Sequence, residues 1–390
     1  MQMIDDLQTI ADSSAQYSSN TVVIGSGGEV KTVSEKSSNH AFPYRWTLAD
    51  ANFTKDKGKV FSCFACGGGS TMGYKLAGFD VLGCNEIDPK MIEAYKANHN
   101  PKYAYLEPIQ TFKLRTDLPD ELYNLDILDG SPPCSSFSMA GNREKDWGKE
   151  KVFREGQAEQ VLDTLFFDFI DLAKKLQPKV VIAENVKGLL LGNAKNYVRE
   201  IYREFDLAGY YIQHWLLDAS KMGVPQRRER VFFICLRKDL AEPFMEQVDM
   251  FTVLPKLKLE FNEPEICFKD ATFDFWQKEE LLFETNCLGT EWDKLKEGEQ
   301  SEKYFQLVKI DSNKVCPTIT AGCGQKSTAS ISHPFRRGKL NTNELCCCGS
   351  YPQDYNFCKS RAGYLIGMSV PPVMTAQIAK QVYEQWLSKI

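Results

Sequence analysis

An α/β fold, built on a mostly parallel sheet with helices on both faces and joined by a smaller second unit, is predicted for this chain by three observations. Short apolar runs alternate with helical periodicity between residues 59 and about 238; the first strand-to-helix turn, "FACGGGSTMG", holds three successive glycines; and the alternation then lapses for about a hundred residues before a last amphipathic helix. With 390 residues, 43% of them hydrophobic, the chain can bury one large core and a second smaller one.

Residues 1–57 are rich in Ser, Asn and Lys and lack sustained periodicity. They read as an N-terminal extension with weak structure of its own, or as a flap laid on the main domain. The main domain spans 58–238. "KVFSCFA" is a buried strand, "TMGYKLAG" a short helix closed by Gly78, "DVLGCNE" a strand, and "PKMIEAYKANH" a helix opened by Asp88 and Pro89. Strand "LDILD", helix "EQVLDTLFFDFIDLAKKLQP", strand "KVVIAEN", helix "AKNYVREIYREFDLAG" and strands "YYIQHWLLDA" and "RVFFICLR" follow. A second unit occupies 239–345, and 346–390 returns to the main domain through the helix "TAQIAKQVYEQW", whose Ile378, Ala379, Val382 and Trp386 share one face.

Composition excludes several classes. No stretch approaches the roughly 20 apolar residues of a membrane span, and the N-terminus lacks a basic start with an apolar core, so a cytoplasmic protein without membrane association is expected. Thirteen cysteines lie mostly inside apolar segments, where reduced thiols act as small hydrophobes. Neither a disulfide framework nor a metal is expected, because "CCC" at 346–348 with Cys358 lacks paired C-x-x-C spacing. The net charge of −5 argues mildly against a nucleic-acid partner. Its distribution qualifies that: residues 260–302 hold thirteen acids against four lysines, whereas "KMGVPQRRERVFFICLRK" has six bases and one acid. "GQKSTASISHPFRRGKL" adds four bases and no acid, so the acidic block masks two basic patches, which can equally be solvated faces.

The glycine turn allows close backbone approach to a ligand, and the helix behind it offers N-terminal amides. Glu86 closes the next strand 19 residues after Gly67, where a carboxylate meets ribose hydroxyls in nucleoside-binding sheets. A Walker lysine followed by Ser or Thr is missing from the turn, so a nucleoside without a crowded phosphate chain fits best. In "GSPPCSSFS", Pro132 and Pro133 stiffen a loop that carries Cys134 at the carboxyl end of a buried strand. "AENV" sets Glu184 at the end of another strand, and "QRRER" pairs Arg228 with Arg230 behind Gln226.

In this order the motifs resemble the cytosine-5 DNA methyltransferase family of bacterial or phage type, over nearly all of residues 59 to 390. The turn resembles its S-adenosylmethionine loop, "NEIDP" its ribose-binding strand end, "GSPPCSSFS" its nucleophile loop, "ENVKG" its glutamate motif and "QRRER" its paired arginines; "LNTNEL", "YPQDYNF" and "GMSVPP" resemble the closing motifs. The resemblance implies a Rossmann-like domain at 58–238 that binds S-adenosylmethionine and releases S-adenosylhomocysteine, with a target-recognition domain at 239–345. Cofactor contacts would come from Phe64, Ala65, Cys66, Gly67, Gly68, Gly69, Glu86, Ile87, Glu107, Pro132, Ser369 and Val370. Cys134 would add to cytosine carbon 6, Glu184 would share a proton with N3 and bond the exocyclic amine, Arg230 would bond O2, and Arg228 would tie down the nucleophile loop. Ser138, Asn185, Gln226, Thr318 and Thr320 would serve the DNA side. The implied partner is double-stranded DNA with a flipped-out cytosine, the implied state a monomer, and such enzymes can have a separately acting restriction endonuclease.

The sequence departs from the family at several points. Cys66 stands where glycine is usual, Ser135 where Gln is usual, Met368 where Asn is usual, and "LEPIQTF" replaces an Asp-Ile stretch. Three other readings stay open at this point: an RNA cytosine methyltransferase on the same fold, a catalytically inactive DNA-binding relative, and a dinucleotide oxidoreductase that would leave "PPC", "ENV" and "QRRER" unexplained.

Overall fold

The computed structural model describes residues 40–133, 150–151, 160–161, 164–191, 194–247, 252–276, 283, 287–323, 325 and 328–390. Seven strands make one sheet: β1 (Lys59–Cys63), β2 (Asp80–Glu86), β3 (Tyr103–Leu106), β4 (Ile127–Gly130), β5 (Val180–Val186), β6 (Tyr210–Asp218) and β7 (Glu229–Arg237). Their order is β3-β2-β1-β4-β5-β7-β6. All neighbours are parallel except β7, which runs antiparallel to both β5 and β6. The fold is therefore Rossmann-like and mostly parallel.

This order reverses between β1 and β4. The chain runs outward from β1 to β3, then returns to place β4 on the other side of β1, with Cys63 in register with Gly130. In sheets of this kind the loops on either side of such a reversal diverge into a crevice at the carboxyl edge, the ordinary ligand position. The glycine turn and the Pro132–Pro133 loop thus leave adjacent strands.

Strands covered on both faces read as continuous apolar runs, and β1 and β5 do; the edge strand β6 alternates instead. Helix α1 (Gly69–Leu76) follows β1, and α2 (Pro89–His99) follows β2. Asp88 caps α2 by accepting from the amides of Lys90 at 2.8 Å and Met91 at 3.4 Å, with Pro89 at the first helical position. Helix α3 (Leu165–Leu176) starts later than its periodicity predicts, because Gln160–Val161 pairs antiparallel with Glu150–Lys151. Helix α4 (Ala194–Leu207) precedes β6; α5 (Thr342–Gly349), α6 (Ala362–Met368) and α7 (Pro372–Gln385) close the chain.

Apolar side chains fill both faces of the sheet. Phe61 and Phe112 cluster with Phe166, Phe169 and Leu172 of α3, while Val60 clusters with Tyr74 of α1, Val373 and Val382 of α7 and Trp386 just after it. Each such burial stabilises by roughly 1.5–3 kcal/mol. The predicted apolar face of α7 is buried throughout: Ile378, Ala379, Val382 and Trp386. A third cluster joins Phe268, Ile310, Ile319 and Leu345 to Met72 of α1 and Met91 of α2. Residues 40–57 hold no helix or strand, but they dock: Trp46 Nε1 donates to the Ser350 carbonyl at 2.9 Å, and the amides of Leu48 and Ala49 donate to Asp354. Among the described residues no helix is long and apolar enough to cross a membrane, and every cysteine is a free thiol.

Candidate active site

At the end of β1 the backbone turns sharply. Phe64 and Cys66 both adopt left-handed backbone, at φ 53° and 50°, and Gly68 follows at φ 88°. Such conformations cost a residue with a Cβ about 1–2 kcal/mol, so Cys66 occupies a position that favours glycine. Burial, then the neighbouring Glu86 carboxylate, push its thiol up to about 12, which leaves a neutral sulfur 3.4 Å from the Met91 sulfur. A side chain at Gly68 would meet the His99 ring and Tyr95, and one at Gly69 would meet the Val370 carbonyl and Ser369. The turn is thus in contact with α2 on one side and the α6–α7 segment on the other.

Glu86 ends β2 beneath this turn. Its carboxylate accepts from the amides of Cys66 at 2.7 Å and of Ile87 and Asp88 at 2.9 Å each. Burial raises its pKa while these donors oppose the rise. Glu107, at the end of β3, pairs with Arg115 at 2.9 Å and accepts from Thr111 at 3.0 Å. The packing of Ala65 is apolar, against Cys84, Ile92 and Tyr95.

Behind the crevice lies a carboxylate that sequence reasoning missed. Asp129 of β4 is buried and accepts from Ser62 at 2.6 Å, Ser70 at 2.8 Å and Tyr74 at 3.1 Å. Burial outweighs these three hydroxyls and raises its pKa to about 6. One signal was present: polar Ser62 and Asp129 interrupt two apolar strands, and β1 and β4 pair them in register. Beyond β4, Pro132 is buried and its carbonyl accepts from Asn185 Nδ2 at 3.1 Å. Cys134, Ser135 and Ser138 lie outside the described residues, as do all of 134–149 and 152–159.

The other side of the crevice is charged. Glu184 of β5 and Arg230 of β7 form an ion pair of 2.8 Å, both largely buried. Antiparallel pairing of β5 with β7 sets this up, since it brings Val186 opposite Arg230 and Glu184 opposite Phe232. Arg228 is only 1% exposed and donates to the carbonyls of Ile319 at 2.9 Å and Gly367 at 2.8 Å. Burial, then the Arg230 cation, lower its pKa while Glu184 opposes them. Gln226 ties Ile319 to α5 instead, accepting from the Ile319 amide at 3.0 Å and donating to the Cys348 carbonyl at 3.2 Å. Thr318 and Thr320 flank Ile319 and are exposed, with the Thr318 hydroxyl donating to the Arg227 carbonyl at 2.7 Å.

The structure therefore gathers Phe64 to Gly69, Glu86, Ile87, Ser369 and Val370 on one side of the crevice, and Glu184, Asn185, Gln226, Arg228, Arg230, Thr318 and Thr320 on the other. Among the described residues no group of three or more His, Cys, Asp or Glu side chains is arranged to hold a metal ion.

Comparison with known proteins adds four findings. The family model described as C-5 cytosine-specific DNA methylase matches residues 58–384. The type II methyltransferase M.FnuDI of Fusobacterium nucleatum is 36% identical over 182 residues, 47% of this chain and 48% of that one, so the match spans about half its length. M.Bsp6I of Bacillus sp., another type II methyltransferase, is 26% identical over 84% of this chain and 99% of its own. A solved structure described as a DNA modification methyltransferase encoded within an E. coli prophage shares the fold, with a TM-score of 0.62, 20% identity and coverage of 84% and 99%.

Proposed function

The chain belongs to the C-5 cytosine-specific DNA methylase family, and on that premise we propose that it methylates carbon 5 of a flipped-out cytosine in a specific site of duplex DNA, with S-adenosylmethionine as methyl donor. The observation that carries this reading is that a nucleoside-type turn over Glu86 and the Glu184–Arg230 pair stand at one edge of the same sheet, to either side of its switch point.

The cofactor fits the turn. A carboxylate offers about four acceptor sites; three of those on Glu86 take backbone amides, and one on Oε2 is left for a ribose hydroxyl. Ile87 and the Ser369–Val370 segment would border the nucleoside and methionine ends, with Phe64 beside them; Glu107 would lie toward the adenine. When bound, S-adenosylmethionine supplies an electrophilic methyl group.

Carbon 5 of cytosine is a weak nucleophile until another nucleophile adds at carbon 6. In this reading Cys134 does so as a thiolate, aimed by the short stiff loop whose Pro132 carbonyl is held by Asn185. Glu184 holds a proton on N3 and accepts from the exocyclic amine, which neutralises charge as the sulfur adds. Arg230, already oriented by Glu184, donates to O2 of the base. Arg228 acts at one remove, because its guanidinium fixes the Ile319 and Gly367 backbones that border the pocket. After methylation a base removes the carbon 5 proton and Cys134 leaves. The target must leave the stack to reach these groups. Thr318 and Thr320, exposed and tied to the arginine segment, would face base edges from the recognition domain at 239–345.

Transfer of tritiated methyl groups to mixed-sequence duplex DNA, single-stranded DNA and RNA, with bisulfite sequencing of labelled DNA, tests the proposal. Label at one repeated short duplex site is the expected result. Label in RNA alone, or none while cofactor binds, would sink it.

A further inference from the structure

The glycine turn has an anchor that the reaction scheme does not use. The Gly67 carbonyl receives two donors from elements distant in sequence: the Tyr355 hydroxyl, and His99 Nε2 at 3.2 Å. A carbonyl only accepts, so the proton of His99 sits on Nε2. Its buried Nδ1 has no partner among the described residues, and burial holds the ring neutral, with a pKa lowered to about 3.

His99 is the last residue of α2, and Asp88 caps the first turn of the same helix beside Glu86. Helix α2 therefore touches the crevice at both ends, under the carboxylate and under the turn. The His99 main chain is fixed in turn, since its carbonyl accepts from Lys75 Nζ of α1 at 3.0 Å. The ring lies 4.6 Å from that of Tyr95, whose hydroxyl meets Thr71 of α1 at 2.9 Å. A Cβ at Gly68 would stand 2.2 Å from His99 Nε2. The absent side chain at Gly68 thus makes room for the histidine. Tyr355 is placed independently, by ring packing on Tyr351 at 5.3 Å and Phe357 at 4.8 Å.

We propose that His99 and Tyr355 are positioning residues for the cofactor, clamping the Gly67 carbonyl so that the left-handed turn keeps its amides and Cys66 fixed over Glu86 before cofactor arrives. This rests on the functional reading above. The clamp acts through backbone geometry and touches no reacting atom. Its energetic effect is that of preorganisation: a turn already in its binding shape loses less freedom on binding.

Titration of S-adenosylhomocysteine into the purified protein by calorimetry tests it, with Tyr355→Phe, His99→Ala, His99→Gln and the double variant Tyr355→Phe/His99→Ala. Tyr355→Phe keeps the ring and removes only the donor; its Kd should rise about 10-fold with the Tm of the cofactor-free protein unchanged. The double variant should lose more than the two single losses combined, because it leaves one buried carbonyl with no donor. His99→Gln, which keeps an N–H donor, should recover part of the His99→Ala loss. In steady state, KM for the cofactor should rise while kcat and KM for DNA hold. A wild-type Kd in Tyr355→Phe overturns the clamp, as does a fall in Tm with Kd unmoved. Wild-type protein that binds no S-adenosylhomocysteine would instead overturn the functional reading itself.

Discussion

The two sides of the crevice solve the same problem, holding a polar group at the edge of an apolar sheet, by opposite means. Beside β1 and β2 the fixed groups are satisfied by neutral donors: Glu86 by three amides, Asp129 by three hydroxyls, the Gly67 carbonyl by a tyrosine and an uncharged histidine. Beside β5 and β7 the groups are a carboxylate and two guanidiniums, buried together. Neutral donors fix shape with little field, which suits a turn that has only to receive a ligand. Closely packed charges create a field, which suits the role proposed for them, stabilising charge that develops on a base. The contrast teaches that geometry and electrostatics are divided between the halves.

If the division holds, changes on the charged side should affect rate and those on the neutral side affinity. Glu184→Gln should lower kcat at least 100-fold, of the order general acid–base groups contribute, yet leave the Kd for S-adenosylhomocysteine within about two-fold, measured by single-turnover kinetics and calorimetry. A matching loss of cofactor affinity would break the comparison. Arg228→Met removes two charge-assisted hydrogen bonds and leaves the Ile319 and Gly367 carbonyls buried without donors; chemical denaturation should show a loss of about 3 kcal/mol.

The smallest effect concerns pH on the neutral side. Asp129 titrates at about 6 in the folded protein and near 3.9 in an unfolded chain. The folded state holds this proton more tightly, so the stability it contributes is greatest below pH 4 and declines as pH rises from 4 to 6. The decline is on the order of 3 kcal/mol at most. Asp129→Asn should remove it, so the difference in Tm between wild type and variant should shift in favour of the variant across that range and level off above. A difference independent of pH would show that the three hydroxyls hold Asp129 ionised throughout.

Much of this was legible in the sequence because it is local. Apolar runs, the Asp88–Pro89 helix start, the glycine turn and the α7 face are all encoded within a few neighbouring residues. The antiparallel placement of β7 was not, since strand direction depends on the length and path of the connection. Nor was the use of Gly68: a glycine seen alone invites a ligand, and only the fold shows His99 filling the space. Arg228 was singled out by its motif, but its partners are two carbonyls 91 and 139 residues away, bonds to backbone that leave no trace in residue type. The pairing of Gln160–Val161 with Glu150–Lys151, which shortens α3, likewise competes with a good helical pattern through a partner outside it.

One feature bears on how the protein is made. The Tyr355 hydroxyl reaches the Gly67 carbonyl across 288 residues of chain, and α6 and α7 pack on the turn from the same stretch. During translation, therefore, β1, its turn and His99 emerge long before Tyr355, the second residue that braces the turn. Contacts this far apart in sequence also slow folding. A nascent chain halted near residue 340 would carry the whole sheet and the His99 half of the clamp, with the turn still lacking Tyr355 and the packing of α6 and α7.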